Sequence, residues 1–370
     1  MVAAALVLFL RPAAGTRTVV DPARAPRVTP LTAAASPPEP PPPPGAAESA
    51  AAGPRPPRGA LPSQAVANSA AEEYRRRARY PRATQPLDDG PDPLQRDREV
   101  SPITQRGPHG EEPALTVYPL LTGFEDPDPA ILYAYLSVEG TRIPARHIRG
   151  TIVTEDLQPI GEVEYRDDGT GADAMADDHI YTAVFAPGAD AVPALSRSYM
   201  VQVVADTRGD EERRAATSFL YSHPHAQLTG NFRDAMADGS LEVGVEVAVA
   251  APGRFHVEAT LYGPDGSRKV AWAQTAGELQ PGRHWMTLPF YGLILREQGV
   301  EGPYVLRYVA LSTTTQMPNA KNRLVDANYR TAPYDLAAFT DRPFNDPGLL
   351  DAANRLEHDR AEVGGLDAGR

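Results

Sequence analysis

The chain has 370 residues and a formal net charge of −12, and it contains no cysteine. The missing cysteines exclude disulfide bridges, cysteine-ligated metal centres and a thiol nucleophile. The acidity argues against nucleic acid as a partner, because phosphate binding requires clustered cations. The length and an apolar content of 42% allow two domains of ordinary size.

The N-terminal residues 1–10 are apolar throughout and are followed at once by Arg11 and Pro12. A transmembrane helix requires about 20 apolar residues and a signal peptide begins with basic residues, so this segment meets neither requirement. We interpret it as the remnant of a membrane anchor or signal that begins upstream; the alternative is a short apolar terminus without a role. The first interpretation predicts an extracytoplasmic protein, in the periplasm or at the cell surface. It is either exported or tethered to the membrane through its N-terminus.

Residues 11–112 are rich in proline, alanine and glycine and show no lasting hydrophobic periodicity. The run Pro40–Pro44 favours polyproline II, and the surrounding composition predicts a disordered stalk. One helix interrupts the stalk, between the capping-box spacing of Ser69 and Glu72 and a stop at Pro81. Its arginines have two interpretations, a contact with anionic lipid or a solvated charged face.

Beyond the stalk, apolar and polar residues alternate, and glycine, proline or aspartate interrupts the alternation roughly every 8–12 residues. This pattern predicts an all-β protein with two antiparallel β-sandwich domains, at 113–222 and 226–335. A short linker, in which His223 and His225 are expected to be exposed, joins them. Strands do not alternate with helices, which argues against a parallel α/β scaffold.

Four segments show the alternation most clearly, each with one apolar and one polar face. Their apolar positions are, in chain order, Leu132, Ala134, Leu136 and Val138; Tyr199, Val201, Val203 and Ala205; Leu241, Val243, Val245, Val247 and Val249; and Phe255, Val257, Ala259 and Leu261. A helical turn is predicted within 290–297. Tyr304 opens a late strand, which is typical of a sandwich corner in which the tyrosine hydroxyl bonds back to the backbone.

An acidic loop, Tyr165–Tyr181, lies between two short strands and holds the densest cluster of potential ligand groups. Its sequence Tyr165-Arg-Asp-Asp-Gly-Thr-Gly-Ala-Asp173, followed by Asp177-Asp-His-Ile-Tyr-Thr182, resembles the signature of choice-of-anchor X domains, which are bacterial surface-associated immunoglobulin-like modules. The resemblance covers the first predicted sandwich, and it departs from the family at His179, where glycine is usual. It implies an extracytoplasmic location, anchoring by varied terminal devices and no catalytic activity.

The carboxylates of this loop have two interpretations. Ca²⁺ takes about six to eight oxygen ligands, so Asp167, Asp168, Asp173 and Asp178 form a candidate calcium site, although the spacing is not that of an EF-hand. Alternatively, the carboxylates accept hydrogen bonds from nearby backbone amides and shape the turn. We favour the turn, and therefore predict no metal and no cofactor, with calcium as the alternative.

Residues 336–370 form a tail in which Asp346 and Pro347 predict the N-cap and first position of a short helix. Its apolar stripe, which ends before Gly364, is expected to dock within the chain; docking on another protein is the alternative. The stripe consists of Leu349, Leu350, Ala353 and Leu356.

The sequence lacks a nucleophile elbow, a phosphate-binding glycine loop, a zinc-protease motif and a carboxylate pair for glycoside hydrolysis, so no enzymatic activity is predicted. The predicted function is a non-catalytic, envelope-associated binding or scaffolding protein whose partner is another envelope protein. The alternative is an accessory carbohydrate-binding module or a calcium-dependent adhesion module. A carbohydrate platform would use four aromatic residues that we otherwise expect to fill the second core: Trp272, Trp285, Phe290 and Tyr291.

Overall fold

The computed structural model describes residues 64–96, 98–187, 195–209 and 211–367. This part of the chain is mostly β and forms several antiparallel sheets, which confirms the predicted fold class. The predicted anchor remnant at 1–10 and the stalk as far as residue 63 lie outside the described residues. None of the helices within the described ranges is long and apolar enough to cross a membrane.

The described chain begins with four short elements: α1 (Gln64–Ala78), β1 (Thr84–Pro86), α2 (Pro93–Arg96) and β2 (Ile103–Gln105), the last of which belongs to the first sandwich. The first sandwich then contains β3 (Ala114–Pro119), β4 (Gly123–Glu125), β5 (Ala130–Val138), β6 (Thr141–Ile143), β7 (His147–Thr154), β8 (Pro159–Glu164), β9 (Tyr181–Phe185), β10 (Ser196–Asp206) and β11 (Glu212–Ser222). One sheet has the order β4-β11-β10-β7-β8, and the other has the order β2-β3-β5-β6 with β9 also on β5. Among the described strands only β4 and β11 pair in parallel.

The second sandwich contains β12 (Ala226–Ala237), β13 (Ser240–Val249), β14 (Gly253–Tyr262), β15 (Lys269–Leu279), β16 (Gly282–Phe290), α3 (Gly292–Gln298), β17 (Val305–Thr313), β18 (Ala320–Lys321) and β19 (Val325–Arg330). One sheet has the order β1-β15-β14-β17-β18 with β19 also on β17, and the other is β12-β13-β16. A 3₁₀ turn (Leu336–Ala338) and helix α4 (Pro347–Asp367) follow.

The two hydrophobic cores lie where the alternation predicts them. The predicted apolar positions of β14 are fully buried, from Phe255 to Leu261. The four core-facing residues from Leu241 to Val247 on β13 are fully buried as well. The predicted face of β10 is also in the core. Val138 is the exception, because β5 ends there and the side chain is exposed. Tyr304 forms the expected corner, with its hydroxyl donating to the carbonyl of Val300 at 2.6 Å.

Residues 64–96, called the N-terminal strap below, pack against the second sandwich. Strand β1 extends a sheet of that sandwich by pairing with β15, where Thr84 lies opposite Ala273. Helix α2 covers the outer face of the same sheet, where Leu94 is buried against Tyr262. The prediction of an unpacked stalk up to residue 112 is therefore wrong for the strap, because its packing partners lie far along the chain.

Helix α1 confirms the helix predicted inside the stalk, and it packs against α4. Arg75 of α1 pairs with Glu357, so at least part of its positive charge is used within the chain. Helix α4 begins as predicted, because the carboxylate of its N-cap Asp346 accepts the amide hydrogen of Leu349 at 3.0 Å. It docks within the chain, but it continues through Gly364, where we expected it to end.

Candidate functional site

Backbone hydrogen bonds organise the acidic loop around its carboxylates. Asp167 accepts the amide hydrogens of Asp178 and His179 at 3.2 and 3.0 Å, which ties the two ends of the loop together. His179 has a φ of 64°, a left-handed conformation that glycine adopts more readily than histidine. The carboxylates therefore do what the turn interpretation requires of them.

Asp168 and Asp173 stabilise the middle of the loop. Asp168 accepts both the amide and the hydroxyl hydrogen of Thr170, and these bonds lower the pKa of the Asp168 carboxyl. Asp173 is buried and accepts the amide hydrogen of Gly169 at 2.6 Å. Gly169 has a φ of 67°, and a Cβ there would lie 2.8 Å from the amide nitrogen of Ala176, so only glycine fits this turn.

Three of the four candidate calcium ligands converge. One ligand atom from each of Asp167, Asp173 and Asp178 lies within 4.8 Å of the other two. Asp168 is not a member of this group. Within the described residues this is the one set of three or more acidic or histidine side chains with metal-binding spacing, and these carboxylates also serve the backbone of the loop.

The variant Asp173→Asn separates charge from turn formation, because the amide oxygen can still accept the hydrogen bond from Gly169. We expect the melting temperature of the wild-type protein to be the same in millimolar calcium and in chelator, and the variant to behave likewise. Thermal unfolding monitored by circular dichroism measures this. If calcium raises the melting temperature of the wild type but not that of the variant, a cation site is established, since a ligand bound only by the native state stabilises it by mass action.

The histidines do not gather into a site. His223 lies 3.3 Å from Asp126, and both it and His225 are half-buried rather than exposed as expected for a linker. His256 contacts the side-chain oxygen of Gln274 at 2.8 Å. His284 contacts a backbone carbonyl oxygen at 2.7 Å. Each histidine thus has its own local surroundings.

The four aromatic residues do not form the alternative carbohydrate platform, and only part of the set fills the second core as expected. Phe290 is fully buried in that core, and Tyr291 packs against it. Trp272 instead packs under α2 with the satellite cluster on the outer face of one sheet. Trp285 is 38% exposed on the outer face of the other sheet, and Tyr291 packs edge-on against Phe344. The two tryptophans therefore cannot bind one ligand together.

Around Trp285 the structure reveals a polar and aromatic cluster that the sequence analysis missed. The guanidinium of Arg233 lies 4.3 Å from the centre of the indole ring. Glu246, directly opposite Trp285 on β13, accepts hydrogen bonds from Thr229 at 2.8 Å and Asn231 at 2.7 Å. These bonds lower the pKa of the Glu246 carboxyl. The alternation on β13 places Glu246 on the polar face, and this was the signal available in the sequence.

These features define an antiparallel β-sandwich protein. One sandwich carries an acidic loop held together by hydrogen bonds to its carboxylates, and the other has an open polar and aromatic face. Residues 225–336 match a family model described as "Domain of unknown function (DUF4785) C-terminal domain". The matched segment spans the second sandwich. No curated protein matches the chain.

Several solved structures resemble parts of the chain. A DUF4785 family protein from Legionella pneumophila is 18% identical with a TM-score of 0.44, and the alignment covers 60% of this chain and 57% of that one. CopC from Methylosinus trichosporium is 16% identical over 26% of this chain and 79% of that one, with a TM-score of 0.18. The SafA pilin in complex with the SafB chaperone of Salmonella enterica is 11% identical over 58% and 96%, with a TM-score of 0.20.

Proposed function

We propose that this is a non-catalytic binding or scaffolding protein of the cell envelope, which presents two sandwiches as one unit to another envelope protein. The location is supported by the apolar N-terminus and by the resemblance of the acidic loop to choice-of-anchor X domains, to which we assign the first sandwich. The absence of catalytic motifs in the sequence supports a binding role. The observation that carries the proposal is the polar junction between the sandwiches.

The centre of this junction is Glu125, at the end of β4 in the first sandwich. Its two carboxylate oxygens accept hydrogen bonds from the side chain of Asn322, at 2.9 Å, and from the amide of Arg323, at 2.6 Å. Both donors belong to the second sandwich. Burial raises the pKa of Glu125, against the effect of these two donors. The desolvated carboxylate is thus held in place by bonds that require the two sandwiches to keep a fixed orientation.

Further contacts surround Glu125. The Arg323 side chain pairs with Asp128 of the first sandwich. The amide of Lys321 donates to the hydroxyl of Ser222 at 3.0 Å, and the hydroxyl of Ser196 donates to the carbonyl of Pro318. A protein that only needed two independent modules could join them by a flexible linker. Direct bonds across the junction are what a platform with a defined geometry requires.

We expect Glu125→Ala to loosen this junction and to lower the free energy of unfolding by about 1–2 kcal/mol, because donors at the junction lose their acceptor. Small-angle scattering should show a larger radius of gyration, and proteolysis should become faster near His223–His225. Glu155→Ala, at an exposed position of the first sandwich, is the control and should change neither quantity. If the scattering of Glu125→Ala equals that of the wild type, the junction does not fix the relative orientation of the two sandwiches.

The partner surface can be tested at the edge of the first sandwich. Val184 on β9 is 48% exposed and borders a cleft of about 350 Å³ that the acidic loop also lines. A photo-crosslinking residue at Val184 should capture one stoichiometric protein in intact cells, and fractionation should place the adduct in the envelope. The same residue at Met317, which is 83% exposed, controls for random capture. A cytoplasmic protein, or equal capture at both positions, would overturn the proposal.

A calcium-dependent adhesion module is the second candidate. The convergence of Asp167, Asp173 and Asp178 favours it. The comparison of wild type with Asp173→Asn in calcium and in chelator decides between this candidate and the simple turn.

A further inference from the structure

We propose that the outer face of the β12-β13-β16 sheet, called the Trp285 face below, binds an acidic polysaccharide. A sugar ring would lie on the exposed part of Trp285, with its carboxylate or sulfate on Arg233. This site goes beyond the proposed function, because it concerns the other sandwich and a different class of ligand. It is tested on the purified protein and can fail or succeed independently of any protein partner.

The Trp285 face is open along the strand β12. Four residues of this strand are exposed, so no element of the described part of the chain covers them: Gln227, Asn231, Arg233 and Ala235. Trp285 stands on this face with 38% of its surface accessible, although a tryptophan of a sandwich strand ordinarily packs into the core. The guanidinium of Arg233 covers one face of the indole. The part of the ring that stays accessible can contact the apolar face of a pyranose ring at a low cost in conformational entropy.

Gly244 lets the cluster form. It lies on β13 between Arg233 and Thr287 in the register of the sheet. A Cβ at Gly244 would lie 2.9 Å from the Cγ of Arg233 and 3.2 Å from the ring of Trp285. The missing side chain thus leaves the space in which the arginine stem and the indole meet above the sheet.

Arg233 supplies the charge that selects an acidic ligand. Its guanidinium lies 4.3 Å from the centre of the Trp285 ring, and it pairs with no carboxylate among the described residues. In a chain of net charge −12, an exposed arginine held on an aromatic ring without an acidic partner is available to an external anion. Guanidinium binds carboxylate and sulfate oxygens well because it presents several donors in one plane.

The polar residues beside the ring are held in place by the protein itself. Glu246 is about nine-tenths buried and binds Thr229 and Asn231, while Arg283 lies 3.4 Å from its carboxylate. Asn231 and Arg283 flank Trp285 and can donate to sugar hydroxyls. The face is flat rather than enclosed, which suits several rings of an extended chain more than a single free sugar.

Polygalacturonate and its fully methyl-esterified form provide the test, since they share a backbone and differ in charge. We expect the full-length protein to bind polygalacturonate in affinity electrophoresis and calorimetry, and to bind the ester more weakly. Added salt should weaken binding to the acid form. Trp285→Ala should weaken both interactions by about tenfold or more, the typical effect of losing a central aromatic contact.

Arginine variants test the charge separately from the ring. Arg233→Gln should abolish the preference for the acid form over the ester, and Arg233→Lys should keep most of it. Arg254→Gln removes an exposed arginine from the other sheet and should change nothing. Melting curves establish that each variant is folded. The proposal is overturned if wild type binds neither polymer, or if Trp285→Ala and Arg233→Gln bind as wild type does.

Discussion

Gly292→Ala is expected to destabilise the protein by about 3 kcal/mol, the upper part of the range for overpacking a buried site. Gly292 is buried at the start of α3, and a Cβ there would lie 1.9 Å from the carbonyl oxygen of Gly239. It would also lie 2.9 Å from the amide nitrogen of Thr340. The amide of Thr340 donates a hydrogen bond to the carbonyl oxygen of Gly239 at 2.8 Å, so the added methyl group must break or displace this hydrogen bond. Urea unfolding measures the loss.

Gly277→Ala is the matched control for this substitution. Gly277 lies on β15, where nothing stands within 4 Å of the added Cβ. Alanine also reduces the conformational freedom of the unfolded chain, so we expect a change within about 0.5 kcal/mol, in the direction of greater stability. Equal stability of the two variants would mean that the turn at Gly239 and the segment at Thr340 can move apart without cost.

The strands of both sandwiches are predictable from the sequence because burial on one face imposes an alternation with a period of two. On β14 this holds from Phe255 to Ala259, beyond which Thr260 and Leu261 are both buried. The same rule places Glu246 on the outer face of β13, and it places Trp285 beside the inward-facing Met286. We assigned both tryptophans to one platform or to the core, although their positions in the alternation already argued for outer faces.

The acidic loop could be predicted in kind but not in detail. Its composition indicates a turn in which carboxylates accept backbone amides, and the structure has several such bonds. Which carboxylates converge depends on the positive φ angles of Gly169, Gly171, Asp177 and His179, which reverse the chain within a few residues. Spacing along the sequence does not contain this information, and Asp168 was therefore grouped with residues from which it turns away.

The N-terminal strap could not be predicted, because its stability comes from residues more than 150 positions away. Its own sequence has too few apolar residues to form a core, and β1 is only three residues long. The hydrogen bond between Asp92 and Tyr262 joins residues 170 positions apart. Local sequence patterns predict helices and alternating strands. The position of the strap depends instead on the surface of the second sandwich against which it packs.

Asp92→Ala is expected to release α2 from the second sandwich and to cost about 3 kcal/mol, since buried donors lose their acceptor. Asp92 is 4% exposed. One carboxylate oxygen accepts the hydroxyl hydrogen of Tyr262 at 2.7 Å, and the other accepts the amide hydrogen of Leu94 at 2.9 Å. Urea unfolding measures the loss of stability. Hydrogen exchange should become faster at the amide of Leu87, which lies between β1 and α2 and donates to the carbonyl of Val270 on β15.

Two further variants assign this effect to its causes. Tyr262→Phe removes only the hydroxyl and should cost less than Asp92→Ala, because the acceptor still caps α2 through Leu94. Asp88→Ala, at an exposed position of the same strap, should change stability by no more than about 0.5 kcal/mol. If Asp92→Ala unfolds like wild type and leaves exchange at the amide of Leu87 unchanged, the strap is not held by this carboxylate. The packing of Leu94 against the outer face would then be the contact that keeps it on the second sandwich.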